Sequence, residues 1–208
     1  MKLKVPFVRS LKKWKGQGWC GPYALASMLR YYKDKSSLPE IVKNVGTQPK
    51  GGTPPKGIAY YCLSRGLNVD YVCEYDTYNF SKGGYSKRYS QFMKNFGEPK
   101  FDIKFDGKCK KFSGYKYIKQ KASLKLIEKY LDSGMPVVLY LNIAVIMGLD
   151  KLSSHYVCVV GYDSKNVYIH NVFPKNQRFQ KVSKKLFWQA YTSDGMKGPL
   201  IVGYLEKS

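Results

Sequence analysis

Gly16-Gln17-Gly18-Trp19-Cys20-Gly21-Pro22 runs directly into Tyr23-Ala24-Leu25-Ala26-Ser27-Met28-Leu29-Arg30-Tyr31-Tyr32, and the rest of the chain is read outward from this stretch. Ala24, Leu25, Met28, Leu29 and Tyr32 recur at helical spacing and make one apolar stripe, so a buried helix is expected to start at Cys20. Pro22 suits the first helical position, where a missing N–H costs nothing, and Gly21 permits a sharp turn before it. The unpaired N–H groups and the positive dipole end of such a helix favour thiolate over thiol at Cys20. Alone, a cysteine in this setting reads as a small buried hydrophobe. A histidine far downstream changes that reading.

Length and composition bound the answer. A chain of 208 residues, 44% hydrophobic, is expected to form one domain over 1–208. No stretch reaches the roughly 18 apolar residues of a membrane span; Pro136 to Met147 is too short and contains Asn142. The start, Met1-Lys2-Leu3-Lys4-Val5-Pro6, lacks the apolar segment of a secretory signal, so a cytoplasmic protein is expected, or a secreted one if a leader has been removed. The five cysteines are odd in number and contain no Cys-x-x-Cys pair, and there are only two histidines, so neither a disulfide framework nor a metal or other cofactor is expected. The formal net charge of +22 would attract acidic substrates, polyanions or an anionic surface.

Along the chain, Ser37 with Glu40 three residues later is a capping-box start for a second helix stopping at Gly46. Thr53 is expected to cap a third, with Pro54 at its first position and Gly66 closing it. Leu67 to Tyr75 alternates as a half-exposed strand. Between Asp76 and Tyr117 stand ten Lys or Arg residues and eleven aromatics with no sustained period, read as an insertion or flap at 76–117. Such a composition serves a hinged lid, the preferred reading, or a single-stranded nucleic-acid groove. Ser123 caps a further helix, and Pro136 to Leu141 reads as a central strand covered on both sides. Two strands, 155–161 and 166–172, a helix capped by Ser183 and a strand at 200–205 complete the chain. Helices first and strands second argue for α+β with an antiparallel sheet.

If residues 161 and 165 close a three-residue loop, 159 pairs with 167, 157 with 169, and His155 with Asn171. Opposed Cβ atoms lie about 4.5–5.5 Å apart, close enough for the amide oxygen to accept the imidazole Nδ1–H and fix its tautomer. His170 would point to the opposite face. Cys20, His155 and Asn171 thus supply a nucleophile, a base and an orienting amide. The Cys20 N–H is one oxyanion donor by position, and Gln17 is the nearby side-chain amide that could be the second.

Val5-Pro6-Phe7, Trp19 to Leu25, Gly52-Thr53-Pro54, Gly134 to Val138, His155 to Asp163 and Val167 to Asn171 resemble, in that order, the bacteriocin-processing (double-glycine-leader) peptidase family and its stand-alone relatives among the papain-like cysteine peptidases. The resemblance covers nearly everything outside 76–117. It implies a papain-like fold, thiol hydrolysis of a peptide or isopeptide bond, and Cys20, His155 and Asn171 as the triad. Acyl transfer or deamidation on the same fold is the alternative, and a polyanion-binding module another. The family's third position is usually Asp where this chain has Asn171, and its oxyanion glutamine lies farther upstream of the cysteine than Gln17 does.

Overall fold

The computed structural model describes residues 1–10, 18–48, 52–74, 99–193 and 198–206. Gln17, Tyr75 and residues 76–98 of the basic, aromatic stretch lie outside them. The elements are α1 (Cys20–Tyr31), α2 (Leu38–Asn44), α3 (Pro55–Ser64), β1 (Asn68–Val72), α4 (Pro99–Cys109), β2 (Tyr115–Ile118), α5 (Leu124–Asp132), β3 (Val137–Asn142), the single turn α6 (Ile143–Ile146), β4 (Ser154–Tyr162), β5 (Asn166–Asn171), β6 (Gln177–Ser183), α7 (Lys184–Thr192) and β7 (Leu200–Tyr204).

Local chemistry explains most helix starts. Ser37 and Glu40 form both bonds of a capping box on α2, and the Ser123 and Ser183 hydroxyls accept from the N–H groups of Leu126 and Leu186. α1 begins at Cys20 itself, so Pro22 sits at the third helical position rather than the first; its missing N–H is still one of the four that no helical carbonyl needs. At α3 the cap is Pro54, not Thr53. The Thr53 side chain is engaged elsewhere, with its hydroxyl 2.8 Å from that of Thr47.

The strands form one seven-stranded sheet in the order β2-β1-β7-β3-β4-β5-β6, antiparallel except for β1 with β2, and β3 is central as its apolar run implies. On one face Leu25, Met28, Ile58 and Cys62 pack against Val138, Tyr156, Cys158 and Val160. On the other Ile127, Leu131 and Phe187 pack against Val137, Leu139, Val157 and Ile169. Each fully buried side chain of this size contributes roughly 1.5–3 kcal/mol. Residues 99–118 are more regular than their sequence suggested: α4 packs on α3, and β2 adds an edge strand.

The β4–β5 hairpin departs from the expected register. Tyr162 pairs with Val167, which leaves a tighter loop, and a bulge at Val160 then puts Val159 opposite Ile169 and Cys158 opposite His170. Continuing that ladder, Asn171 falls opposite Val157, one pair along from His155 but on the same face. Without the bulge Asn171 would fall opposite Cys158, on the other face, so the extra residue is what lets His155 and Asn171 meet. The bulge is held by a segment far away in sequence, since the Leu3 N–H donates to Val160 O at 2.8 Å.

Gly161 makes that crossing possible. A Cβ built there would lie 2.5 Å from Met1 O and 2.8 Å from Lys2 Cα, both backbone atoms that cannot swing away. Gly161→Ala is therefore expected to cost about 1–3 kcal/mol in denaturant unfolding. An unchanged midpoint would mean that the N-terminal segment does not hold the bulge.

Candidate active site

α1 runs along the sheet with its N-terminus at one defined end. A Cβ built on Gly21 would lie 2.8 Å from Thr53 Oγ1, so Thr53 fills the space beside the residue after Cys20. The Thr53 carbonyl in turn accepts the Tyr156 hydroxyl at 3.0 Å, and Tyr156 follows His155. At the opposite end, Met28 abuts Gly203 near the close of β7, and Tyr31 reaches Gly134 ahead of β3. Cys20, the start of β4 and the close of β5 therefore share one end of the sheet. Cys20 is partly buried there against the helix-side core. Alternation turns Tyr156 toward α1, and His155 stands at the strand's end on the other face.

The structure brings His155 and Asn171 into direct contact, with His155 Nε2 2.8 Å from Asn171 Oδ1. An amide oxygen only accepts, so Nε2 carries the hydrogen and Nδ1 keeps its lone pair. This corrects the expected Nδ1–H bond, because the one-pair offset in register presents the far side of the ring. Both residues are buried, and Phe173 covers the ring edge with its centroid 5.7 Å away.

Burial pushes the His155 imidazole down to about 4, with the Asn171 bond opposing the shift only in part. While Cys20 remains a thiol the ring is therefore a neutral base. A thiolate formed by proton transfer to it would supply the counter-charge that burial otherwise denies. The unfolded chain binds a proton at His155 below about pH 6.5 and the folded chain does not until about 4, so stability is complete above 6.5 and falls as pH drops through this window. In Cys20→Ser, where no thiolate can charge the ring, a loss on the order of 2–3 kcal/mol is expected between pH 7 and 4.5, and adding His155→Gln should remove it. Equal acid sensitivity in both proteins, by denaturant titration, would contradict the assignment.

His170 points the other way. Its Nε2 donates to Val5 O at 2.9 Å and its Nδ1 accepts the Phe179 N–H at 3.2 Å, tying the N-terminal segment to β5 and β6. Three supporting residues are absent from the site the sequence predicts. Thr53 bridges the two halves. Asn142 orders the turn into β4, its oxygen accepting from Ala144 and Ser153. Gln180 accepts from the Asn171 amide at 2.8 Å. Asn142 interrupts an otherwise apolar run, the one hint the sequence held. Gln17 is outside the described residues, and among those residues no cluster of side chains suits a metal ion.

The family model described as Peptidase C39 like matches residues 2–196. The chain belongs to the C39-like peptidase family. No curated protein matches it. Among solved structures, this C39-like chain is similar to the peptidase domain of Streptococcus ComA, a bifunctional ABC transporter of a quorum-sensing pathway, at 18% identity and a TM-score of 0.55 over 99% of this chain and 98% of that one. It is also similar to a double-glycine-motif protease of an AMS/PCAT transporter in complex with its leader peptide, at 14% identity and TM-score 0.52 over 99% and 94%. A C39-like peptidase from Bacillus anthracis matches at 17% and 0.50 over 100% and 99%. At such identities the likeness establishes the fold: α+β, papain-like, with leading helices on a mostly antiparallel sheet. No helix among the described residues is long and apolar enough to cross a membrane.

Proposed function

We propose that the chain is a cysteine peptidase or amidase that hydrolyses a peptide or isopeptide bond through a thioester acyl-enzyme. The observation that carries this is the His155–Asn171 bond, which leaves Nδ1 a free base at the sheet end where the Cys20 helix begins. Cys20 Sγ attacks the carbonyl carbon as its proton passes to His155 Nδ1. The tetrahedral oxyanion is held by the Cys20 N–H and by Gln17. The C–N bond breaks, the amine leaves with the proton from Nδ1, and a thioester remains. Water then adds to the thioester, giving one proton to Nδ1, and the collapse releases the acid and restores the thiol. Asn171 orients the ring but adds no negative charge to the imidazolium.

The test is a peptide library, including double-glycine leader peptides because one similar protease is solved with its leader, incubated with the chain and with Cys20→Ala and read by mass spectrometry. New carboxyl termini made only by the wild type are expected. Products joined to an added amine, with no hydrolysis, would reject the peptidase reading in favour of acyl transfer.

A second reading concerns the charge. Several carboxylates are paired within the chain: Asp34 pairs with Arg65, Asp106 with Lys56 and Lys110, Glu128 with Lys184, and tyrosine hydroxyls donate to Asp70, Asp132 and Asp163. Lys111, Lys116, Lys119 and Lys121 stay exposed in β2 and its flanking residues. This surface fits a nucleic-acid backbone. Affinity for a single-stranded DNA oligonucleotide, by fluorescence anisotropy, should fall steeply with salt, the logarithmic slope being about −0.7 per phosphate neutralised. Weak binding unchanged from low to physiological salt would remove this reading.

A further inference from the structure

We infer that Gln180 is a positioning residue: together with the Phe173 N–H it holds the Asn171 amide with its oxygen toward His155, and so helps set which imidazole nitrogen is the base. The inference rests on the peptidase reading for its catalytic consequence. A carboxylate has two equivalent oxygens, but an amide has an accepting end and a donating end, and turned around it would present N–H groups to the ring. His155 would then have to accept at Nε2 and carry its hydrogen on Nδ1, which could take no proton from the thiol.

Two contacts oppose that flip. The Phe173 backbone N–H donates to Asn171 Oδ1 at 3.0 Å, the same oxygen that accepts from His155, and a backbone donor cannot reverse. The Asn171 Nδ2 donates to Gln180 Oε1 at 2.8 Å, so the donating end has its own acceptor. Asn171 is buried, and without Gln180 its N–H group would lose the acceptor that rewards the observed orientation. Gln180 is well placed for this because it faces Ile169, two residues back along β5 and on the same side as Asn171. The bulge that precedes it in β6 carries Phe179 in the left-handed region, at φ 51°, with its N–H on His170 Nδ1. The reach of Gln180 to Asn171 is thus set by strand pairing and by a second, independent histidine contact.

The chain has only two histidines, so nitrogen NMR of the imidazoles at neutral pH reads both tautomers at once. His155 and His170 should both be Nε2-protonated in the wild type. Gln180→Leu should move His155 to a mixture of tautomers while His170 stays as it was, and Gln180→Glu, which keeps an acceptor, should restore the wild-type spectrum. Alkylation of Cys20 by iodoacetamide should fall about tenfold in the leucine variant and recover in the glutamate variant. A His155 that stays Nε2-protonated in Gln180→Leu would overturn the inference. So would movement of both histidines that Gln180→Glu fails to reverse. If Cys20 behaves as an ordinary thiol even in the wild type, the peptidase reading fails while the tautomer result still decides the role of Gln180.

Discussion

Replacing His155 with Ala is expected to lower peptide cleavage by roughly 10³–10⁶-fold, about as much as Cys20→Ser, with the double variant hardly worse than either. In the proposed mechanism base and nucleophile act as one unit: without Nδ1 the thiol keeps its proton and the leaving amine gains none. Asn171→Ala should cost less, because the ring remains a base and loses only its hydrogen-bonded orientation. Independent, multiplying losses in a Cys20/His155 double-mutant series would show that the two do not share a step.

The largest expected effect on stability lies elsewhere, at Lys56. This lysine is 1% exposed, and its ammonium bonds Asp106 and, at 2.9 Å, the Tyr115 hydroxyl. It also lies 4.5 Å from the Tyr71 ring centroid and 5.1 Å from that of Tyr117. Burial works against the Asp106 carboxylate, yet hydrogen bonds from Lys110 and Lys56 hold it below the usual carboxylate range. Through this cluster α4 and β2 are fastened to α3 and β1. Breaking a buried pair by removing one partner costs about 3–5 kcal/mol, and that is the loss expected for Lys56→Ala or Asp106→Asn in denaturant unfolding. Replacing both partners by apolar residues of similar volume should cost much less. Amide exchange in β2 should accelerate in the single variants. Wild-type protection there would show that β2 is held by its strand pairing alone.

What the sequence made legible followed from local physics. The capping serines at 37, 123 and 183 announce their helices because the cap bonds are made within three residues. The continuous apolar run of β3 announced a central strand because both faces of that strand are covered. β6 was invisible: Gln177-Arg178-Phe179-Gln180-Lys181-Val182-Ser183 has two apolar residues, and as an edge strand it is specified by its neighbour β5. The hairpin register differs because the loop is tighter than the three-residue loop expected, which shifts the pairing by three positions, and the bulge at Val160, held by Leu3 far upstream, takes one of them back. His155 and Asn171 still meet, but by the opposite ring nitrogen from the one expected. Lys56 gave no sign of its burial either, since three tyrosines and Asp106 that surround it come from later, separate segments.

The central claim is that Cys20 and His155 work as a nucleophile–base pair, and its most direct measurement is the rate of iodoacetamide alkylation at Cys20 against pH, by peptide mass spectrometry, in the wild type and in His155→Ala. The account predicts fast labelling that persists well below the ordinary thiol pKa of about 8.5 in the wild type and reverts to an ordinary thiol profile without His155. Slow labelling with the same ordinary profile in both proteins would contradict it, and Cys20 would then be a structural residue at the head of a buried helix.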